Sequence, residues 1–306
     1  MSEAHEEAAR GAGATNGTVL AFLNEVAGGR RLLETLRERI AAGADSVAVA
    51  APQNQPVAGQ LVDQDEVREA AQSRVEVTQA VLSEFGVEAV GVVMDPDPPL
   101  ALDDAVRAFS PSEILISCLA GTRFGLLRRD LVEWARSRFE APVAHIPVRI
   151  EDDAVRWDVT HTLVVATQTV DSPDLLERLK SRAAERPHRY TIISPRSGQI
   201  TREEVCGKLA RTLAELYKAD IDATGQPMSP EPLPAIQNAI EHYRVDDILI
   251  STLAGRQSKW LQEGLLEKVE ALEEWPVEHV ESERGSEADS RVESAVGSEQ
   301  SAGERV

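Results

Sequence analysis

Short apolar runs alternate with amphipathic stretches along most of this chain, and each switch of period marks a change of element. The pattern is clearest in the second half. HTLVVATQTV from His161 is an apolar run of strand length. It leads into a helix whose Leu175, Leu176 and Leu179 form one stripe, with Ser172 placed to cap it and Pro173 at its first position. RYTIIS follows as a second strand, then TREEVCGKLARTLAELYKA as a helix, where Thr201 and Glu204 have capping-box spacing. A short third strand near IDATG, a helix from about Pro234 to Tyr243 and the strand DDILIST come next. A single helix over SKWLQEGLLEKVEALEE and a fifth strand, PVEHV, complete the half. The first half reads the same way, as TVLAFLN, RRLLETLRERIAA, DSVAVAA, DEVREAAQSRVEVTQAVLSEF, VEAVGVVM, LDDAVRAF, EILISC, GLLRRDLVEWARSRF and PVAHIPV. Strands alternating with helices predict a parallel sheet covered on both faces, with right-handed crossovers.

The two halves are copies. Residues 111–146 and 245–280 align without gaps with 14 of 36 positions identical, including ILIS, LAG and the Pro-Val-x-His of the fifth strand. At the same offset GVVMDPDP from Gly91 answers GQPMSPEP from Gly225. The openings from Thr18 and His161 correspond at another offset, so the first half holds about nine extra residues, placed near PQNQPVAGQ. A tandem duplication follows. The boundaries expected are a tail over 1–16, a domain over 17–150, a linker over 151–159, a second domain over 160–281 and an acidic tail over 282–306. Both tails are rich in Glu, Ser, Ala and Gly and are expected to be disordered.

Composition narrows the partners. The formal charge is −20, which disfavours nucleic acid and anionic membrane surfaces. Cys118 and Cys206 are the only cysteines and make no disulfide framework. The acidic start MSEAHEEAARGAGA has no apolar stretch of a signal peptide, and no run approaches a membrane span, so a cytoplasmic location is expected.

A five-strand alternating domain occurring twice resembles the universal stress protein family over residues 17–281. LVVA-x-x-T-V-x-S-P-x-L-L and ILIST-L-x-x-x-x-S-x-W-L, seen here as HTLVVATQTVDSPDLLERL and DDILISTLAGRQSKWL, resemble an actinobacterial-type two-domain subset more closely. The resemblance implies a tandem pair of doubly wound five-stranded sheets of the adenine nucleotide alpha hydrolase-like, Rossmann-like class, arranged as a pseudo-dimer within the chain. It implies fifth strand beside fifth strand across a pseudo-twofold axis; association into a homo-oligomer stays open. Nucleotide-binding members carry Gly-x2-Gly-x9-Gly-[Ser/Thr] after strand four. The first half has Gly121 and Gly125, and the second has Gly255 and then Gly264 before Leu265, so neither half matches. The family's aspartate after strand one is replaced by Asn24 and by Thr167/Gln168.

Candidate ligand residues are those at the carboxyl ends of strands. After strand four they are Ser251, Thr252, Gly255, Arg256, Ser258 and Lys259, with Ser117, Gly121, Thr122 and Arg123 as first-half equivalents. Gly28, Gly29, Arg30 and Arg31 form a second group at the start of the first helix, an anion-friendly position, with Asn24 at the end of strand one beside them as a further candidate. The second half puts Asp171, Ser172, Pro173 and Asp174 there. The plainer reading makes Ser117 and Ser251 buried strand ends and Ser258 a helix cap, and it is favoured. His145 and His279 share one place in the fifth strands, with no nucleophile or metal spacing around them. Cys118 and Trp260 read as packing residues. The function expected is a non-enzymatic tandem stress-type protein in stress response or signalling, with an eroded small-ligand site and no cofactor. An ATP- or AMP-binding regulator using a changed loop after strand four is the alternative, and an enzyme of the nucleotide-binding α/β group ranks last.

Overall fold

The computed structural model describes residues 17–24, 27, 29–54, 64–118, 123–124, 129–147, 159–195, 200–228, 231–243, 245–254, 258–272 and 274–282. Residues 1–16, 283–306 and all but one of the expected linker positions lie outside these. The chain divides into two compact units, Met1–Arg156 and Trp157–Val306.

In the first unit β1 (Thr18–Leu23), α1 (Arg30–Ala41), β2 (Ser46–Pro52), α2 (Gln64–Glu84), β3 (Ala89–Met94), α3 (Pro98–Phe109) and β4 (Glu113–Cys118) follow in order. Then come β5 (Arg123–Phe124), β6 (Arg129–Asp130), α4 (Leu131–Arg138) and β7 (Val143–Pro147). In the second unit the order is β8 (Thr160–Val165), α5 (Pro173–Glu185), β9 (His188–Pro195), α6 (Arg202–Lys218), β10 (Asp222–Met228) and α7 (Pro232–His242). β11 (Asp247–Leu253), α8 (Lys259–Gln262), α9 (Leu265–Glu270) and β12 (Val277–Ser282) complete it.

Each unit holds one parallel five-stranded sheet, ordered β3-β2-β1-β4-β7 and β10-β9-β8-β11-β12. This is a doubly wound α/β fold, twice. The central strands carry the apolar runs because helices cover both their faces. In the first unit Leu20, Phe22, Ala48, Ala50, Ile114 and Ile116 meet Ala101, Leu102 and Ala105 of α3 and Leu131, Val132 and Ala135 of α4.

Caps set several helix starts. Ser172 accepts a bond from the Leu175 amide ahead of Pro173, and Thr201 and Glu204 form the reciprocal capping box. The glycines at equivalent places, Gly91 in β3 and Gly225 in β10, let a helix lie close on an edge strand. A β-carbon at Gly91 would stand 2.3 Å from Val75 Cγ1 and from Gln79 Oε1, and one at Gly225 would stand 2.8 Å from Leu209 Cδ1.

Several elements differ from the sequence reading, among them α3, which starts at Pro98 rather than Leu102. The helix expected from Gly125 begins at Leu131, because Asp130 accepts from the Glu133 amide as its cap. Ahead of it Arg123 and Phe124 pair antiparallel with Asp130 and Arg129, so Arg123 sits in a two-residue strand. The helix expected over residues 258–274 is broken into α8 and α9 by Gly264, whose φ of 68° is left-handed. β10 is seven residues long rather than short, and Pro227 is accommodated because β10 is an edge. α7 starts at Pro232, two residues earlier than expected.

One stabilising contact occurs in both units and joins the end of the first helix to the start of the fourth strand. Arg39 binds Glu113 through Nε and Nη2, at 2.6 and 3.0 Å. At the equivalent place Arg182 binds Asp247, and it also reaches Glu278 on β12 at 3.1 Å. Glu113 fixes its partner's guanidinium above the ordinary arginine range, chiefly through the side-chain hydrogen bond.

Candidate functional site

Strand order reverses between β1 and β4, and between β8 and β11. The carboxyl ends of those strands form the crevice where such sheets take ligands. The sequence places polar residues there in both units, and the two units use them differently.

In the first unit Asn24 follows β1 and is buried. Its amide N–H donates to the Ser117 carbonyl at the end of β4, at 3.0 Å. Its side-chain oxygen accepts from Asn54 Nδ2 at 3.2 Å, and Asn54 in turn accepts from Arg74 Nη2 at 2.8 Å. Arg74, on α2, is fully buried and also donates to the Pro52 carbonyl at 2.7 Å. Burying a guanidinium requires such acceptors, since an unpaired charge there would be prohibitively costly. Ser117 is fully buried, and its hydroxyl has no hydrogen-bond partner among the described residues. His145 Nε2 stands 3.3 Å from the Cys118 carbonyl and donates to it. Cys118 is buried.

In the second unit the same end of the sheet is packed with hydroxyls that bond one another. Ser251 of β11 donates to Thr169 Oγ1 at 2.8 Å and lies 3.4 Å from Ser282 Oγ. Ser172 donates to Ser282 at 3.0 Å while accepting the Leu175 amide. All four residues are at most 1% exposed. Thr252 meets His279 Nε2 at 2.8 Å, and Thr167 donates to the Pro195 carbonyl at 2.5 Å. Asp171, buried after β8, is neutralised by Arg211 at 2.7 Å and Lys208 at 3.5 Å.

The remaining candidates serve local structure or fall outside the described residues. Ser258 caps α8 by accepting the Leu261 amide at 3.3 Å. Lys259 points outward, 3.5 Å from Glu263. Gly29 is the residue before α1, with an ordinary φ of −86°, and Arg30 pairs with Glu34 one turn on at 2.7 Å. Trp260 is buried, as a packing residue should be. Gly28, Gly121, Thr122, Gly255 and Arg256 lie outside the described residues, as does the side chain of Arg123. His145 and His279 occupy matching registers, opposite Ile116 and Ile250. Sequence reasoning missed Arg74, Asn54, Thr169 and Ser282. An arginine carries no hydrophobic signal of burial, even among the buried Ala71, Val75, Val77 and Val81 of α2. Ser282 is the last residue of β12, two residues past the matched block, so the strand takes in the first position of the expected acidic tail.

Among the described residues there is no group of three or more His, Cys, Asp or Glu able to hold a metal ion. No described helix is long and apolar enough to cross a membrane.

No family model matches this chain, and no curated protein matches it. Among solved structures, a universal stress protein from Archaeoglobus fulgidus is 19% identical, with 87% of this chain and 96% of that chain covered and a TM-score of 0.34. The glycotransferase of kitacinnamycin is 11% identical, with 87% of each chain covered and a TM-score of 0.18. Neither likeness is close enough to bear on activity. The fold rests on the strand order and the parallel ladders.

Proposed function

We propose that this chain is a non-enzymatic tandem protein of universal stress type, acting in stress response or signalling, whose ligand crevice is closed in the second unit. The observation that carries this reading is the hydroxyl cluster of Ser251, Thr169, Ser172 and Ser282. These groups stand where a doubly wound sheet offers donors to a ligand, and here they hydrogen-bond one another. Admitting a phosphate would first require these mutual bonds to be broken, and each hydroxyl that then found no partner would cost about 1–3 kcal/mol. Asp171 adds a carboxylate beside the start of α5, and its partners Arg211 and Lys208 are already engaged.

A second reading is favoured by one feature of the first unit. Ser117 keeps a buried hydroxyl without a described partner, and its carbonyl accepts the Asn24 backbone N–H at the switch point. On that reading the first unit takes ATP or AMP through a changed loop.

Thermal denaturation of the full chain with millimolar ATP and magnesium separates the two. The eroded-site reading expects an unchanged melting temperature. A ligand at 100 times its dissociation constant adds roughly 2.7 kcal/mol of stability, so true binding is easily seen. A saturable rise that vanishes in Asn24→Ala would replace the first reading with the second. A rise that vanishes in Arg256→Ala would reopen the second unit as a site.

A further inference from the structure

The two sheets have an equivalent edge strand each, β3 and β10, and the two edges are finished differently. An edge strand turns about half of its N–H and C=O groups outward, so soluble proteins blunt such edges with charge, proline or covering side chains. β10 is blunted in this way. It contains Pro227, its Asp222 is held by Arg189 at 3.3 Å, and the Ala223 carbonyl is taken by the Tyr217 hydroxyl at 2.8 Å.

β3 reads Ala-Val-Gly-Val-Val-Met, with no charge and no proline. Side chains hold only its two ends among the bonds seen: Gln79 donates to the Ala89 carbonyl at 2.7 Å and Gln53 to the Met94 carbonyl at 3.0 Å. Val90, at 63% exposure, and Leu100, at 53%, are the exposed large hydrophobics among the described residues. One lies in β3 and the other in α3, the helix that follows it and packs on Val92 and Met94. Charge is present only at the ends of the strand, where Glu88, Asp95 and Asp97 are all exposed and all acidic.

That distribution selects among occupants. A second copy of β3 laid antiparallel and centred on the first would set Glu88 opposite Asp95 at both ends, and like charges directly opposed are destabilising. The net charge of −20 adds to that repulsion. A strand with an apolar middle and lysine or arginine at both ends meets the apolar stretch and both acidic ends favourably. We propose that β3 is a docking edge for an extended segment of another protein, apolar at its centre and basic at both ends, which joins the first sheet by strand addition. The acidic ends oppose self-pairing and set the specificity, and the main-chain ladder supplies the affinity.

The probe is a synthetic peptide, Lys-Lys-Val-Thr-Val-Thr-Val-Lys-Lys, labelled for fluorescence anisotropy and titrated with the full chain. Saturable binding is expected, with slowed amide exchange confined to residues 89–94. The exposed double change Glu88→Lys with Asp95→Lys should weaken that peptide at least about tenfold and strengthen a Glu-flanked counterpart, as swapped complementary charges do. Circular dichroism of the variant verifies its fold. The proposal is overturned by absence of saturable binding, by protection that falls outside 89–94, or by indifference to the charge swap. It is likewise overturned if sedimentation shows the chain associating with itself through 89–94.

Discussion

Replacing Gly91 with alanine should destabilise the first unit by more than the matching change at Gly225 destabilises the second. The new β-carbon at Gly91 would lie 2.3 Å from Val75 Cγ1 and from Gln79 Oε1. Val75 is buried and β-branched, so it has little rotamer freedom with which to retreat. Gln79 is longer and could swing away, but it would then release the Ala89 carbonyl it holds at 2.7 Å. Overpacking of this kind costs about 1–3 kcal/mol. The loss of unfolded-chain freedom on going from glycine to alanine returns about 0.4–1 kcal/mol. The net expectation is about 1–2 kcal/mol, or a melting temperature lower by about 3–6 °C for a unit of this size. At Gly225 the nearest atoms are Leu209 methyls at 2.8 and 3.2 Å, a milder overlap, and the two terms should nearly cancel. Urea unfolding of the full-length variants, followed by far-UV circular dichroism, measures both. A cycle with Val75→Ala should recover at least about 1 kcal/mol of the Gly91→Ala loss, since it removes the clashing methyl groups. The reasoning fails if Gly91→Ala is as stable as the parent, or if Val75→Ala recovers nothing.

Two further outcomes follow from buried polar groups. Arg182→Met leaves Asp247 without its guanidinium, while Glu278 keeps Arg178, and should cost about 3 kcal/mol; Arg39→Met, at a less buried guanidinium, should cost less in the same urea titration. Tyr190 is buried and donates its hydroxyl to the Leu179 carbonyl, and burial holds its phenol well above the ordinary tyrosine range. Because the folded value is the raised one, its stabilising effect is complete below about pH 10 and is lost as pH climbs toward the folded value. Phenolate absorbance should therefore show a tyrosine ionising above the ordinary range, and that step should disappear in Tyr190→Phe.

The first and second halves were legible as two α/β domains because buried parallel strands need continuous apolar runs and their helices need one apolar stripe. ILIS and HTLVVA could be read as central strands for that reason, and the caps at Ser172 and Thr201 could be read because capping is local chemistry. What failed was also local but ambiguous: Gly264 breaks α8 from α9 through a left-handed φ that a helical pattern does not reveal, and Asp130 ends a helix that the leucine spacing would have extended to Gly125. Ser117 and Ser251 were visible as polar residues at strand ends, but not their different fates. Ser251 is tied to Thr169 and Ser282, which lie 82 and 31 residues away, whereas Ser117 keeps its hydroxyl unbonded among the described residues. Arg74 on α2 meets Asn54 and Pro52 at the end of β2, and Arg182 finds Asp247 and Glu278 from two separate strands. The sequence alone determined the periodicity, the duplication and the ends of most elements, since these depend on neighbours along the chain. Only the tertiary structure decided which polar side chains are paired, because burial makes pairing obligatory and the partners come from strands brought together by the fold.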